Sequence, residues 1–164
     1  MRGKWASGIA PRNFAWVIKE KLAISERPGG YARNHRKVRR QEEIIWLREQ
    51  GFTRVVSLLP SSHNLQAYSE LNMTATHLPF APTDDARVVL KELYAHLHEW
   101  QAGGERLLVH QEELGDRLMG AVGGYLVATH LIGSGSQAIM IMERIAGKQM
   151  GPVGRELISV AADL

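Results

Sequence analysis

The residues best suited to chemistry lie in the stretch RLLVHQEELGDRLMG, residues 106–120. A short apolar run ends at His110, a polar loop of six residues follows, and Arg117 opens a second apolar run. This order is typical of a strand, a loop and a helix whose first turn presents backbone amides and a guanidinium to an oxyanion. The position after the histidine holds Gln111, whose neutral amide is a weak nucleophile. The stretch therefore has the outline of an anion-binding loop without a strong nucleophile.

A second charged feature is the basic segment, residues 33–40, which reads RNHRKVRR. Residues 1–50 hold 12 Lys and Arg against 5 Asp and Glu, whereas the remaining residues hold 8 against 12, so the net charge of +3 is unevenly spread. Such a cluster raises the local potential and favours phosphorylated ligands or nucleic acid. The alternative is a solvated helix face whose arginines pair with Glu42 and Glu43. The basic patch consists of Arg33, Arg36, Arg39 and Arg40.

Composition limits the class of protein. A chain of 164 residues with 45% hydrophobic content fits one compact domain over residues 1–164, with residues 1–12 as a candidate flexible end. The absence of cysteine excludes a disulfide, a thiolate nucleophile and a zinc–thiolate site. His96 and His98 are two apart on a predicted helix and point to different faces, so we expect no metal and no cofactor. No apolar stretch is long enough to span a membrane, and we expect a soluble, cytoplasmic protein.

Hydrophobic periodicity predicts an alternation of strands and helices. We expect a hairpin over residues 14–25 with RPGG as the turn after it, and strands over residues 54–60, 75–80 and 106–110. The predicted helices cover residues 34–50, 61–72, 83–100 (opened by Thr83), 117–132, 136–146 and 151–163. The continuous apolar run before His110 is typical of a parallel strand that helices cover on both faces. The predicted fold class is α/β, with a central, mostly parallel sheet flanked by helices.

These features resemble the protein tyrosine phosphatase superfamily, and in particular its small dual-specificity-like members. The signature of that family is His-Cys, five residues and Arg; here His110 takes the histidine position, Gln111 takes the cysteine position, and Arg117 follows after EELGD. The likeness covers about residues 13–155: NFAWVIKEKLAISERPG looks like the amino-terminal strands, HLPFAPTDDARVVLKELYAHL like the general-acid loop and its helix, and SQAIMIMERIAGKQMGP like the helical end. The resemblance implies a dual-specificity phosphatase fold.

The resemblance also implies a set of site residues. Asp84 or Asp85 matches the general acid that protonates the leaving oxygen, and His110 is expected to order the loop through hydrogen bonds. The implied phosphate-binding loop consists of His110, Gln111, Glu112, Glu113, Leu114, Gly115, Asp116 and Arg117.

The sequence departs from this family pattern at several positions. Gln111 cannot form the phosphoenzyme, so the shared mechanism stops at its first step. Leu114 stands where the family has a glycine, and Leu118 and Met119 replace the hydroxyl residue and glycine that follow the arginine. Glu112 and Glu113 add negative charge to a loop meant for an anion.

Three hypotheses follow. The first is a pseudophosphatase, a catalytically inactive phosphatase-like domain that binds a protein or a phosphorylated ligand. The second is an enzyme with residual phosphatase activity or with other chemistry, in which Asp84, Asp85 or Glu113 acts with a water. The third is a nucleic-acid or polyphosphate-binding module that uses the basic segment, whose affinity would fall steeply with salt.

Overall fold

The described residues form five strands in one sheet. In the computed structural model these residues are 8–30, 37–62 and 65–164. The strands are β1 (Ala15–Ile18), β2 (Leu22–Glu26), β3 (Arg54–Ser57), β4 (Thr74–His77) and β5 (Leu107–Gln111). Their order in the sheet is β1-β2-β5-β3-β4; β1 runs antiparallel to β2, and the other neighbouring strands are parallel. The expected central, mostly parallel sheet is confirmed.

Six helices within the same described ranges cover the two faces of this sheet. They are α1 (Lys37–Glu49), α2 (Gln66–Glu70), α3 (Ala86–Ala102), α4 (Asp116–Ala128), α5 (Gly135–Ala146) and α6 (Pro152–Ala162). α1 and α2 cover one face, where their buried residues pack with Leu108. α3 to α6 cover the other face, where they pack with Leu107 and Val109. Because successive strand residues point to opposite faces, the continuous apolar run of β5 is buried on both sides.

The start of α3 differs from the sequence prediction. The helix begins at Ala86 rather than at Thr83, because the side chain of Asp85 is its N-cap. Oδ1 of Asp85 accepts hydrogen bonds from the amides of Arg87 and Val88 at 3.0 and 3.4 Å. An aspartate at this position satisfies two of the amides that have no partner inside the helix. The predicted Thr83 start is therefore wrong by three residues.

Other elements are shorter than predicted, for local reasons. α4 ends at residue 128 instead of 132, because His130 adopts the left-handed conformation with φ at 61°. β3 ends at residue 57, because the amide of Leu59 binds the side chain of Ser57 and not a neighbouring strand. β4 ends at residue 77, shortly before Pro79, which has no amide for the ladder. α2 covers residues 66–70 only, and the predicted start of the first helix, residues 34–36, lies outside the described residues.

The carboxyl ends of the four parallel strands meet at one edge of the sheet, as the shared strand direction requires. His110 and Gln111 end β5 at this edge. Since neighbouring strand residues alternate, His110 faces the side of α1 and α2, and Gln111 faces the side of α3 to α6. In open α/β sheets this edge is where ligands bind. In the part of the chain that the structure describes, no helix has the length and apolar character needed to cross a bilayer.

Candidate functional site

The loop of residues 112–115 joins β5 to α4 at the carboxyl edge of the sheet. Gly115 is the N-cap residue of α4 and has an extended backbone, with φ at −108° and ψ at −173°. Within the described residues, no backbone amide from residue 112 to residue 118 donates a hydrogen bond; the first donor is the amide of Met119, 3.0 Å from the Gly115 carbonyl oxygen. Amides without partners at a helix start carry partial positive charge. The loop therefore has donors available for an anion.

Gln111 links three strand ends through its side chain. Its Nε2 donates to the carbonyl oxygen of Leu58, just after β3, at 3.4 Å, and to that of Phe80, after β4, at 3.3 Å. The nitrogen lone pair of an amide is delocalised, and both hydrogens of this group point to carbonyl oxygens, so it cannot attack phosphorus. At the position that the resemblance assigns to the nucleophile, the chain has a structural hydrogen-bond donor.

Arg117 is the second residue of α4 and is partly exposed. Its guanidinium carbon lies 5.0 Å from the centre of the Phe80 ring, which is a cation–π distance. None of the ion pairs among the described residues involves Arg117, so Asp84, Asp85 and Glu113 do not neutralise it. The planar guanidinium keeps its donors for a bidentate acceptor such as phosphate.

One of the two acidic residues after Gln111 forms an ion pair with a distant arginine. Oε1 of Glu112 accepts a hydrogen bond from Nη1 of Arg27 at 3.0 Å, across 85 residues of sequence. Arg27 is the residue that follows β2, and its side chain is only 16% exposed. Glu113 is exposed to solvent. One of the two carboxylates expected to repel an anion is therefore compensated by a cation that the sequence analysis did not single out.

Asp116 caps another helix and does not enter the loop. Its two carboxylate oxygens accept hydrogen bonds from the amides of Gly151, at 2.6 Å, and Gly154, at 2.7 Å. Gly151 is the N-cap residue of α6, so the carboxylate binds the amides at the start of that helix. The close approach requires small residues: a Cβ on Gly120 of α4 would lie 2.6 Å from the Cα of Gly154. Asp116 thus fixes α6 against α4.

The three apolar residues that differ from the family signature pack in the core. Leu114 is 4% exposed, and Leu118 and Met119 are fully buried. All three belong to the core on the α3 to α6 side of the sheet. Leu118 occupies the place where the family carries a hydroxyl that assists the leaving thiolate, and a buried leucine gives no such donor.

The two candidate general acids both bind backbone amides. Oδ2 of Asp84 accepts from the amide of Ala81 at 2.8 Å, and Asp85 caps α3 as described above. Both residues are exposed. Their carboxylates stabilise the turn that leads into α3.

His110 is buried, with 1% of its surface exposed. Nδ1 lies 3.2 Å from the carbonyl oxygen of Gln111, and Nε2 has no hydrogen-bond partner within the described residues. Burial lowers the pKa of His110 to about 4, and the charge of Arg27 and the neighbouring His77 also lower it, whereas the hydrogen bond to Gln111 raises it. The imidazole is therefore neutral at physiological pH.

The basic patch is only partly within the described residues. Arg33 and Arg36 lie outside them. Nε of Arg39 donates to Oε2 of Glu43 at 2.6 Å, one helical turn along α1, which is the ion pair that the alternative interpretation of this segment expected. Arg40 lines a pocket together with Arg27. The two described arginines of the patch thus have different surroundings.

Among the described residues, no group of three or more histidines or carboxylates is placed to hold a metal ion. Arg27 and Tyr68, which no sequence motif singled out, line one pocket with His110 at the carboxyl edge of the sheet. The sequence feature that points to Arg27 is its position directly after β2, a buried strand that is parallel to β5.

Comparisons with known proteins identify the fold. No protein-family model matches the sequence, and no curated protein does. Solved structures do match. The crystal structure of Tk-PTP in its active form has a TM-score of 0.73 at 16% identity, covering 92% of this chain and 97% of that one. The kinase-associated phosphatase, with its catalytic-site cysteine substituted by serine, has a TM-score of 0.75 at 18% identity, covering 94% of this chain and 99% of that one.

A third similar structure is that of human DUSP28, with a TM-score of 0.69, 17% identity, and coverage of 94% of this chain and 96% of that one. At identities of 16–18% the likeness shows the fold alone. The chain has the fold of the protein tyrosine and dual-specificity phosphatases, and the expectation from the sequence is confirmed at that level.

Proposed function

We propose that the chain is a non-catalytic phosphatase-fold domain, which binds a protein or a phosphorylated ligand without hydrolysing it. The proposal rests on the two hydrogen bonds that the side chain of Gln111 donates. This residue stands where the family has its thiolate, and its amide donates to the carbonyl oxygens of Leu58 and Phe80. A group that cannot attack phosphorus leaves the bound ester intact.

The rest of the loop supports binding of an anion. The amides of residues 112–118 have no acceptor within the described residues, and Arg117 forms no ion pair there. A helix start with an adjacent guanidinium matches the charge and geometry of a phosphoryl group. Arg27 reduces the opposing charge of Glu112. These features favour a phosphorylated ligand over an uncharged one.

The two other hypotheses have less support. An enzyme with a carboxylate and a water requires a carboxylate near Arg117. Asp84 and Asp85 bind backbone amides, and neither they nor Glu113 form an ion pair with Arg117 within the described residues. A nucleic-acid module requires exposed, unneutralised arginines, and Arg39 is paired with Glu43. We therefore place the ligand at the loop of residues 110–117.

The experiment is a calorimetric titration of the purified chain with a phosphotyrosine peptide and with the same peptide without phosphate. We expect the phosphopeptide alone to bind, because the loop recognises the phosphoryl group. Arg117→Ala should weaken binding by about 10-fold or more, as removal of a charge-assisted bidentate contact does. Arg144→Ala, which changes an exposed arginine on α5, is the matched control and should leave the affinity unchanged.

Turnover is measured on the same samples by release of inorganic phosphate. We expect none above buffer. Binding of both peptides with equal affinity would remove the phosphoryl group from the proposal, and release of phosphate that disappears in Arg117→Ala would show a working active site.

A further inference from the structure

Phe80 lies between the carboxyl edge of the sheet and Arg117. It follows β4, is 1% exposed, and belongs to the core on the α3 to α6 side of the sheet. The guanidinium carbon of Arg117 lies over its ring, 5.0 Å from the ring centre. At this distance the electron-rich face of an aromatic ring attracts a cation. Phe80 therefore contacts the guanidinium group that we assign to phosphoryl binding.

The backbone of Phe80 is bound to two other strand ends. Its amide donates a hydrogen bond to the carbonyl oxygen of Leu58, just after β3, at 3.0 Å. Its carbonyl oxygen accepts one from Nε2 of Gln111, the last residue of β5, at 3.3 Å. A side chain in a close-packed core stays in one rotamer, and here the backbone that carries it is fixed as well. The ring is therefore a rigid support for whatever packs on it.

An aromatic ring restrains an arginine in a different way from a carboxylate. A carboxylate accepts the N–H groups of the guanidinium and cancels its charge, whereas a ring leaves both the charge and the donors available to a ligand. Arg117 forms no ion pair in the part of the chain that the structure describes. The contact with Phe80 thus restrains Arg117 without neutralising it.

Restraint of this side chain matters for affinity. Arg117 is the second residue of α4 and is partly exposed, so without a contact it would sample many rotamers. A ligand that must immobilise a long, mobile side chain binds more weakly than one that meets the same side chain already ordered. The ring of Phe80 orders Arg117 during folding, before any ligand arrives.

We propose that Phe80 is a positioning residue for Arg117: its ring holds the guanidinium group at the loop of residues 112–115 and thereby raises the affinity of that loop for a phosphoryl group. Because Phe80 is buried, it acts through Arg117 and not by contact with the ligand. The effect on affinity rests on the proposed function, whereas the hold on Arg117 is a property of the free chain.

The most selective test replaces the phenylalanine at residue 80 by pentafluorophenylalanine, incorporated at that site alone. Fluorination reverses the charge distribution of the ring and nearly keeps its shape, so it removes the attraction for a cation and leaves the packing in place. We expect the affinity for the phosphotyrosine peptide to fall about 3- to 10-fold in calorimetric titration. Phe80→Leu, which removes the ring, should lower the affinity by a similar factor.

A second readout needs no ligand. In the free chain the ring current of Phe80 shifts the ¹H–¹⁵N resonance of the Arg117 Nε–H group, which is assigned by its absence in Arg117→Ala. We expect Phe80→Leu and the fluorinated ring to move this resonance towards that of a solvent-exposed arginine. A role of Phe80 in packing alone would leave the resonance of the fluorinated chain in place.

Phe52 provides the matched control. It is also a buried phenylalanine, 4% exposed, but it precedes β3 at the opposite edge of the sheet and stacks on Trp16. Phe52→Leu and pentafluorophenylalanine at residue 52 should leave both the affinity and the Arg117 resonance unchanged. Circular dichroism confirms that each variant is folded, and if Phe80→Leu does not fold, the fluorinated chain decides.

Two results would overturn the inference. The first is an Arg117 resonance that stays in place when the ring is removed or fluorinated. The second is a fluorinated chain that binds the phosphotyrosine peptide as tightly as the wild type or more tightly, because the ring would then only pack or would compete with the ligand. If the wild type binds no phosphotyrosine peptide, the proposed function fails, and the resonance alone decides whether Phe80 holds Arg117.

Discussion

Asp116 provides a quantitative test of how α4 and α6 are joined. Its carboxylate accepts hydrogen bonds from the amides of Gly151 and Gly154 at 2.6 and 2.7 Å, and it caps α6 from outside that helix. Loss of an N-cap acceptor costs about 0.5–2 kcal/mol, and the charge near the helix start adds about 0.3–1 kcal/mol. Because two amides lose their acceptor at once, we expect Asp116→Ala to lower the free energy of unfolding by about 2–3 kcal/mol. Asp116→Asn keeps one acceptor oxygen and should lose about half as much.

The assay is urea denaturation followed by circular dichroism, with thermal unfolding as a second measure. For a chain of this size a loss of about 2 kcal/mol lowers Tm by roughly 4–8 °C. Glu113→Ala is the matched control, because Glu113 is an exposed loop carboxylate three residues before α4, and its loss should change stability by less than about 0.5 kcal/mol. If Asp116→Ala were as stable as the wild type, the carboxylate would not be the cap of α6, and the account of how α4 and α6 are joined would fail.

Three further predictions concern the site. Gln111→Cys alone should restore little or no hydrolysis of an aryl phosphate, because the buried leucine after the arginine gives no hydroxyl support; robust turnover from this one change would show an intact catalytic loop. His110 is buried with a pKa of about 4, against 6.5 for the free side chain, so the unfolded chain binds more protons between these values. Stability should fall as pH drops from about 7 to about 4, by up to about 3 kcal/mol, and a His110→Asn variant should lack this dependence in urea titrations at several pH values. In the basic segment, replacement of Arg36, Arg39 and Arg40 by Gln should weaken binding of an acidic partner without unfolding the chain if the segment is a ligand surface; equal affinities for a phosphopeptide pool and a short RNA at two salt concentrations would remove it from the functional account.

The sequence predicted the parts of the fold that depend on local pattern. Strand β5, the loop after it and the position of Arg117 at the start of α4 follow from a continuous apolar run, a polar break and a helical period. The same holds for the mostly parallel sheet, because helices alternate with apolar strands. Element ends were less accurate, since they depend on single contacts such as the capping side chain of Asp85.

The partners of charged side chains were not predictable in the same way. The ion pair between Arg27 and Glu112 joins residues 85 apart, and the cap that Asp116 forms on α6 spans 35 and 38 residues. Such contacts depend on which segments meet at the sheet edge, and one sequence contains no local signal for them. The pair of Arg39 and Glu43 was foreseeable as an alternative, because residues four apart share a helix face.

The central claim is that the loop of residues 110–117 binds a phosphoryl group and does not hydrolyse it. The most direct measurement is ³¹P NMR of phenyl phosphate with a stoichiometric amount of the chain, because one spectrum reports both binding and turnover. We expect the ester resonance to shift and broaden with the wild type, to be perturbed much less with Arg117→Ala, and no inorganic phosphate to form over days. An inorganic phosphate signal that grows with the wild type and not with Arg117→Ala would contradict the account.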